Sequence, residues 1–297
     1  MLVKLSHRRS EALSGYLFIA PIYIGFLIFI AAPIVVAFGL SFTKFDILKG
    51  ATFIGLNNYT HMLTDARLQT VYRNTAFFTS ISVVLNVGIG LLLAVALNSR
   101  LPRLIRNFYR SIFFFPVLIA HTYISVIWQF LYAKDTGIFN YYLSQIGVGP
   151  IPWLNSSQWV LFSIILMDVW KNTGFAMLLF LAGLQNIPGE YYEVAQIDGA
   201  NGVNAFFKIT LPLLSPTIFF ILVIFMTGAL QVFDSIMVIS EGGPGDASRS
   251  IVMYIYEKAF RTFDMGYASA VAMTLFVLIL GLTLLQFALG RRWVHYE

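Results

Sequence analysis

The sequence has no cysteine and only four histidines in its 297 residues. The absence of cysteine excludes disulfide bonds, thiolate metal sites and a cysteine nucleophile. The sequence also lacks the phosphate-binding pattern Gly-x-x-x-x-Gly-Lys-Ser/Thr, so the chain does not bind ATP in that way. We therefore expect no metal or cofactor on this chain. A membrane-embedded enzyme is one hypothesis, but the histidines are scattered and no paired His-Glu motif accompanies them.

Charged residues are also scarce, at 11% of the chain against about 25% in soluble proteins. Hydrophobic residues make up 58%, and the mean hydropathy is +0.78. A soluble domain of this length needs a charged surface, so the composition indicates a protein whose solvent is the lipid bilayer. The net charge of +5 comes from basic residues that form no long stripe. It indicates basic loops at the membrane surface and not a nucleic-acid site.

Six hydrophobic segments reach the length of about 20 residues that a helix needs to cross the hydrocarbon core. Five contain no charged residue: Ala12–Thr43, Asn74–Ser99, Ser111–Ala133, Ile209–Phe233 and Met265–Gly290. The sixth, Trp159–Leu184, contains Asp168 and Lys171. The first segment is too long for a signal-peptide core, and none alternates like a membrane β-strand. The sequence therefore predicts an all-α polytopic membrane protein with six transmembrane helices in one domain, residues 1–297.

Basic residues near the ends of these segments predict the orientation, because such residues are enriched on the cytoplasmic side. The loop Asn98–Arg110 and the N-terminus are the compact basic regions, with Arg100, Arg103, Arg106, Arg110, Lys4, Arg8 and Arg9. Both regions are predicted to be cytoplasmic, and six spans place the C-terminus there too. The outer segments are predicted to be loops with short interfacial helices, because they contain Gly, Pro or Asn: Thr43–Arg73, Lys134–Gln158 and Ser240–Met265.

The polar segment Glu193–Pro216 lies between hydrophobic segments on the predicted cytoplasmic side. Pro188–Ile197 is predicted to form a short helix with acidic residues in its early turns, where the helix dipole favours them. Gly199 is predicted to allow a backbone turn. A second amphipathic helix follows and is predicted to end at Pro212, while Pro216 opens the next span. A partner that docks on this segment explains its polarity, and an ordinary interfacial loop is the alternative.

The same segment resembles the EAA loop of permease subunits of ATP-binding-cassette (ABC) importers. The matching residues are Glu193, Ala195, Asp198, Gly199, Ala200, Phe206, Ile209, Leu211, Pro212 and Pro216, and Val194 replaces the second residue of the triplet. Further segments resemble the carbohydrate-uptake group that includes the maltose and glycerol-phosphate permeases: Phe53–Tyr59, Gly137–Asn140, Leu184–Pro188, Gly242–Pro244 and Phe263–Ala270. The resemblance covers about residues 13–296, and the large extra outer domain of the maltose permease subunit is absent.

The resemblance implies the type I ABC importer permease fold, with a core over residues 71–287 and a cytoplasmic EAA coupling loop over residues 190–212. It also implies a heteromeric importer in the cytoplasmic (inner) membrane of a bacterium or archaeon. The implied partners are a second permease subunit, two ATPase subunits that carry ATP and magnesium, and an extracytoplasmic solute-binding protein. The implied cargo is a sugar, an oligosaccharide or a polyol phosphate, moved by alternating access. The residues implied to couple to the ATPase are Glu193, Ala195, Asp198, Gly199, Ala200, Phe206, Ile209, Leu211 and Pro212.

Polar residues inside predicted spans are costly in lipid, so they are candidates for a solute pathway. Two groups of residues share a helix face by their spacing: Asp168, Lys171, Asn172 and Phe175, and in the next span Thr227, Gln231 and Asp234. Planar polar groups beside aromatic faces bind sugars, and these two faces supply both kinds of group. In the maltose permease family the polar stretch before the EAA loop contacts substrate, and Asp168, Asn172 and Phe175 fall at corresponding positions.

Simpler roles for these residues stay open at this point. In one interpretation Asp168 and Lys171 only neutralise each other. In another, Gln231 and Asp234 form hydrogen bonds with the second permease subunit. The alternative function is a self-contained secondary transporter that uses Asp168 or Asp234 as its proton site. Such transporters usually have more spans and inverted halves.

Three further features have structural interpretations. His121, alone among aliphatic residues, is predicted to be a packing residue and not a metal ligand. Trp170 is also predicted to stabilise packing. The segment Gly242–Pro244 is predicted either to act at the outer mouth, as a gate or a contact for the binding protein, or to form a plain tight turn.

Overall fold

The computed structural model of the protein describes residues 2–46, 50–99 and 101–294, and side chains are described for residues 11–45, 50–99 and 101–294. Arg100 lies outside the described residues, and so do the side chains of Lys4, Arg8 and Arg9. The prediction that these basic residues are cytoplasmic therefore rests on the sequence. Most of the described residues are helical.

The described elements follow one another in this order. The α-helices are α1 (Leu2–Phe26), α2 (Ala32–Leu40), α3 (Asn57–Thr64), α4 (Ala66–Asn98), α5 (Arg103–Phe114), α6 (His121–Leu131), α7 (Ile138–Gln145), α8 (Val160–Gln185), α9 (Glu190–Ile197), α10 (Gly202–Ala205), α11 (Leu211–Leu213), α12 (Ser215–Leu230), α13 (Asp234–Ile239), α14 (Ile251–Tyr256) and α15 (Met265–Trp293). Short π-helical turns occupy Leu27–Ala31, Phe206–Thr210 and Glu257–Arg261, and a 3-10 turn occupies Phe115–Leu118. The strands are β1 (Thr43–Asp46) and β2 (Gly50–Phe53).

Within the described residues, four helices are long and apolar enough to cross a membrane: Glu11–Leu40, Ala66–Asn98, Val160–Gln185 and Met265–Trp293. Two further candidates are bent pairs of helices. Arg103–Leu118 and His121–Leu131 meet at 100°, and Gly202–Leu213 and Ser215–Leu230 meet at 64°. The chain therefore has four to six spans by length and composition, depending on whether each bent pair counts as one.

The predicted continuous helix over Ser111–Ala133 is wrong, because the chain breaks near its middle. The 3-10 turn that contains Pro116 ends at Leu118, and Ile119 and Ala120 adopt extended ψ angles of 135° and 143°. Proline removes a backbone donor, and a 3-10 turn tightens the end of a helix. Hydropathy carries no information on this break, since the residues on both sides of it are apolar.

The helix predicted over Ile209–Phe233 is wrong in the same way. The second helix of the polar segment continues through Pro212 to Leu213, and a bend separates it from α12, which begins at Ser215. The π-helical turn just before Leu211 displaces the usual hydrogen bonds, so the missing donor of Pro212 is tolerated. Pro216 lies in the first turn of α12, where the sequence places it. Ile209 therefore belongs to the polar segment and not to the span.

The chain divides into two compact units, and the first comprises Met1–Thr64 with Ile255–Thr274. This unit corrects the all-helical prediction, because β1 and β2 form an antiparallel hairpin in which Thr43 pairs with Phe53. The Asn58 side chain secures the start of the hairpin by donating to the carbonyl oxygens of Ser41 and Thr43, at 2.8 and 2.9 Å. The side chains of Glu11–Leu40 are mostly exposed and apolar, as contact with lipid requires.

The second unit comprises Asp65–Tyr254 with Leu275–Glu297. Its core forms around α4 and α8, which pack along much of their length. Phe180 and Met177 of α8 are fully buried against Ala94 and other apolar residues of α4. Gly174 permits a close approach of α5 to α8, since a Cβ atom there would lie 1.8 Å from the Phe113 carbonyl oxygen. This packing fixes the polar residues of α8 relative to α4.

Candidate functional site

A cavity of about 270 Å³ opens in the second unit, where α4, α8 and α12 meet the beginnings of α6 and α13. Its polar lining consists of Ser82, His121, Asp168, Asn172, Gln231, Asp234 and Ser235. Its aromatic lining consists of Phe78, Phe175, Phe225 and Phe233. The cavity thus brings together five of the seven residues that the sequence placed on a solute pathway, namely Asp168, Asn172, Phe175, Gln231 and Asp234.

Asp168 is the centre of a polar network that joins α8 to α4. Asn172 donates to its Oδ1 at 2.8 Å, as expected for residues four apart on one helix face. Its Oδ2 accepts hydrogen bonds from Ser82 and from Asn86, the latter at 3.4 Å. Thr173 extends the network with a 3.3 Å hydrogen bond to Asn86 Oδ1. The carboxyl group is buried and all its partners are neutral donors, so the network satisfies it within the membrane core.

Lys171 does not line the cavity, which corrects one of the predicted pathway residues. Its side chain is buried, and Nζ donates to the carbonyl oxygen of Val117 at 3.3 Å. That carbonyl lies at the break between α5 and α6, where helical carbonyls lose their usual partners. Lys171 therefore donates a hydrogen bond to a carbonyl group at the end of a broken helix. Asp168 accepts its hydrogen bonds from other residues.

The predicted shared helix face of Thr227, Gln231 and Asp234 is wrong. The helix α12 ends at Leu230, and Asp234 begins the separate helix α13. Gln231 lies in the turn between them, with its N–H bonded to the Gly228 carbonyl at 3.1 Å. Gln231 and Asp234 still reach the cavity, whereas Thr227 does not line it. Helical spacing predicted the wrong position for Thr227, because this spacing does not continue past the end of a helix.

Three polar residues of the cavity were not predicted as pathway residues: Ser82, His121 and Ser235. Ser82 belongs to a stripe of buried polar residues at helical spacing on α4, with Thr75, Thr79 and Asn86. This stripe in a span was a usable signal. His121 was predicted to be a packing residue, but the break after Leu118 places it at the start of α6, on the cavity wall. Trp170 contacts Trp128, with the two rings 5.5 Å apart, but about half of its surface is exposed, so its packing role is confirmed only on that side.

The polar segment forms two helices joined by a tight turn, which confirms its predicted local structure. The first is α9, and the second runs continuously from Gly202 to Leu213. Gly199 in the turn has φ of +78°, a conformation that favours glycine. Tyr192 Oη lies 2.9 Å from Thr210 Oγ1, so a hydrogen bond joins the two helices. The Asn201 side chain caps the second helix through the N–H of Asn204 at 2.8 Å.

The same two helices present apolar side chains outward. Val194, Ile197, Val203 and Phe207 are between 58% and 86% exposed. Glu193 and Asp198 are exposed beside them, whereas Ala195 is buried and Ala200, Phe206, Ile209, Leu211 and Pro212 are partly buried. Exposed apolar patches with a polar rim are typical of protein-binding surfaces. The residues predicted to couple to an ATPase therefore divide into an exposed set and a set that supports the loop.

The segment Gly242–Pro244 forms a tight turn held by its own hydrogen bonds. Ser248 Oγ donates to the Gly243 carbonyl at 2.8 Å, and the Ser240 and Ser248 hydroxyls lie 2.8 Å apart. Asp246, just after the turn, pairs with Arg67 of α4 at 3.0 Å. The geometry is that of the tight turn which the sequence offered as one interpretation, and a role at the outer mouth stays a prediction.

Comparisons with known proteins agree on one family. The family described as "binding-protein-dependent transport system inner membrane component" matches residues 86–295. The probable ABC transporter permease protein YesP of Bacillus subtilis (strain 168) is 39% identical over 294 residues, which cover 97% of this chain and 94% of that protein. The trehalose/maltose transport system permease protein MalF of Thermococcus litoralis is 37% identical over 289 residues, which cover 97% and 96%.

Solved structures give the same result for the fold. A crystal structure of a bacterial ABC transporter that imports the acidic polysaccharide alginate superimposes with a TM-score of 0.86 at 26% identity, covering 97% of this chain and 99% of that one. A second structure of a bacterial alginate transporter, in complex with an alginate pentasaccharide-bound periplasmic protein, gives a TM-score of 0.84 at 26% identity, covering 96% of both chains. The region matched by the family, residues 86–295, includes the polar segment and all of the cavity lining except Phe78 and Ser82.

Proposed function

Because this chain belongs to the family of binding-protein-dependent transport system inner membrane components, we propose that it carries a sugar, an oligosaccharide or a polyol phosphate into the cell by alternating access. It is a multi-pass membrane permease subunit of an ABC importer and not an enzyme. The relatives named above are proteins of trehalose, maltose and alginate transport, which favours a carbohydrate cargo here. A self-contained secondary transporter is set aside, because permeases of this family work with a binding protein.

The proposed topology has six spans with both termini in the cytoplasm of a bacterium or archaeon. Each bent helix pair then counts as one span, and residues 71–287 form the core. The arginines Arg103, Arg106 and Arg110 on α5 support a cytoplasmic position for that end of the chain. A cysteine at Gly202 is expected to react with a membrane-impermeant reagent only from the cytoplasmic side. A cysteine at Gly149 is expected to react only from outside. The reverse pattern for either site would contradict the topology.

The proposed partners are a second permease subunit, two ATPase subunits and an extracytoplasmic solute-binding protein. ATP and magnesium would bind to the ATPase subunits. Residues 190–212 would dock on an ATPase, and the exposed Val194, Ile197 and Glu193 on α9 support this role by their position. Gly199 and the hydrogen bond between Tyr192 and Thr210 would hold the two helices of this coupling loop at a fixed angle. Movement of the ATPase then reaches the spans through α12.

The cavity is the proposed solute pathway on this chain. Carboxyl groups accept hydrogen bonds from hydroxyls, and carboxamide groups both accept and donate them. Asp234, Gln231 and Asn172 provide such groups in the cavity lining. The rings of Phe175 and Phe225 lie 6.3 Å apart on the same lining, and such faces pack against the apolar faces of sugar rings. The proposed carbohydrate transport rests on one observation: these polar and aromatic groups line a single cavity in a permease of this family.

Uptake by the reconstituted complex tests this function. The chain is co-expressed with the ATPase, permease and binding protein encoded beside it, and the complex is placed in proteoliposomes. Uptake of maltotriose, arabinotriose and glycerol 3-phosphate is measured with ATP and with a non-hydrolysable analogue. We expect at least one carbohydrate to accumulate with ATP only. Accumulation without ATP hydrolysis, or accumulation driven by a proton gradient, would refute the proposal.

A further inference from the structure

We infer that this cavity admits uncharged, hydroxyl-rich solutes and rejects anionic ones such as sugar phosphates and sugar acids. This inference rests on the proposed function and restricts the proposed substrates to uncharged solutes. It is carried by the charge of the lining, which holds two carboxyl groups and, among the described residues, no lysine or arginine. The relatives do not decide this point, since their printed substrates include both neutral and acidic carbohydrates.

Asp234 provides the accessible negative charge of the cavity. It is exposed at the start of α13, next to the equally exposed Gln231. Asp168 provides the second carboxyl group, but its oxygens already accept hydrogen bonds from α4 and from Asn172. A solute hydroxyl donates well to an accessible carboxylate. A phosphate or carboxylate at the same place is repelled, because two like charges at contact distance are poorly screened near a membrane interior.

Lys171 offsets the charge of the buried Asp168, and Asp234 is left as the charge that a solute in the cavity meets. Lys171 is buried, and its Nζ donates to the Val117 carbonyl at 3.3 Å, outside the lining. His121 is the one basic side chain of the described lining, and an imidazole in water is mostly neutral at pH 8. Measurements at pH 8 therefore isolate the effect of the carboxyl groups. An anion on this chain's face of the pathway lacks the arginine or lysine that anion sites generally use.

The absence of cysteine allows a direct measurement of this charge in the assembled complex. A cysteine is introduced at Gly228, which lines the cavity and where an added Cβ atom meets nothing within 4 Å. The matched reference is Gly149→Cys, an exposed loop position with the same free space and only uncharged neighbours in sequence. Each variant reacts with a cationic trimethylammonium-ethyl, an anionic sulfonatoethyl and a neutral methyl methanethiosulfonate. The modified chain is followed by intact mass.

The ratio of cationic to anionic reaction rates reports the local charge. For Gly228→Cys we expect this ratio to exceed that of Gly149→Cys by about tenfold or more at pH 8. Asp234→Asn in the Gly228→Cys background is expected to remove most of the excess. Asp135→Asn, which neutralises an exposed carboxylate outside the cavity, is expected to leave the ratio unchanged.

Two results would overturn the inference. An equal or inverted ratio would show that the cavity does not reject anions, while ATP-driven uptake in proteoliposomes would still support the importer function. A Gly228→Cys variant that does not react even with the neutral reagent, in both the ATP-free and the vanadate-trapped complex, would show that solutes do not reach this surface. Loss of ATP-dependent uptake of every carbohydrate would count against the proposed function itself and not against the charge of the cavity.

Discussion

Tyr192 Oη lies 2.9 Å from Thr210 Oγ1, and this hydrogen bond joins the two helices of the coupling loop on opposite sides of the Gly199 turn. Thr210 is buried and Tyr192 is partly buried. Side-chain bonds of this kind contribute about 1 kcal/mol net. The bond therefore restrains the angle at which the loop meets a partner.

Tyr192→Phe removes this hydrogen bond and keeps the ring. We expect the complex to assemble but to transport about fivefold less solute per ATP hydrolysed, because the loop no longer transmits motion as one body. Uptake and ATP hydrolysis are measured on the same proteoliposomes. Tyr142→Phe, at an exposed residue of α7, is the matched control and is expected to behave as wild type. Unchanged coupling in Tyr192→Phe would show that the bond has no role in transmission.

Gly199→Ala tests the turn itself. Gly199 has φ of +78°, and a side chain in that conformation costs about 1 kcal/mol or more. We expect weaker co-purification of the ATPase and lower transport, with the protein still in the membrane. Gly189→Ala is the matched control, since Gly189 at the start of α9 has φ of −59° and free space for a Cβ atom. If both variants co-purify with the ATPase and transport equally well, the positive φ of Gly199 is not needed for coupling.

Asp168→Leu tests the polar network between α4 and α8. The substitution leaves Ser82, Asn86 and Asn172 without their shared acceptor in a buried site. We expect the free energy of unfolding to fall by about 2–4 kcal/mol, which lowers the midpoint of thermal unfolding in detergent. Asp135→Leu, at an exposed residue, is expected to change the midpoint little. A midpoint that does not fall in Asp168→Leu would mean that the network does not stabilise the fold.

Asn140→Ala tests the loop between α6 and α8, which is proposed to lie on the outer side. The Asn140 side chain donates to the carbonyl oxygens of Lys134 and Ile151, at 2.8 and 2.9 Å. It also accepts from the Ile151 N–H at 3.1 Å and from Trp153 Nε1 at 3.0 Å. Loss of all four hydrogen bonds is expected to lower the free energy of unfolding by about 2–3 kcal/mol and to make the loop accessible to protease. Asn155→Ala, at an exposed residue, should resist the protease as wild type does. Equal resistance of Asn140→Ala would contradict the structural role.

The sequence predicted the unbroken long helices and the two-helix structure of the polar segment well, because their signals are local. Val160–Gln185 differs from the predicted Trp159–Leu184 by one residue at each end. Glu190–Ile197 lies within the predicted first helix of the loop, and Gly199 provides the turn. Each of the three predicted outer segments contains a short helix, α3, α7 or α14. In these regions hydropathy, helix dipole and glycine conformation favour the same structure.

The breaks in the helices could not be read from hydropathy. Ile119 lies between apolar neighbours, and Leu230 is followed by a single polar residue, Gln231, before Val232 and Phe233, so a window average continues through both breaks. The role of Lys171 could not be predicted either, because its Nζ donates to the Val117 carbonyl at one of these breaks. In a continuous helix that carbonyl would accept a backbone hydrogen bond. The β-hairpin around Thr43 was missed because the surrounding helices dominate the composition. The polar stripe that contains Ser82 was visible in the sequence, and helical spacing alone identifies it.

The two walls of the cavity differ in how much free energy their movement would require. On the α4–α8 wall, separation would remove the α4 donors from Asp168 Oδ2 and the Thr173 donor from Asn86 Oδ1, in a medium that offers no water. The opposite wall contains the non-helical joint at Gln231, which moves by changing a few backbone angles. Gln129 ties the far side of this joint to α6 through the carbonyl of Val238, at 2.5 Å. Access to the cavity is therefore expected to change by a local backbone rearrangement around Gln231, while the α4–α8 pair keeps its contacts.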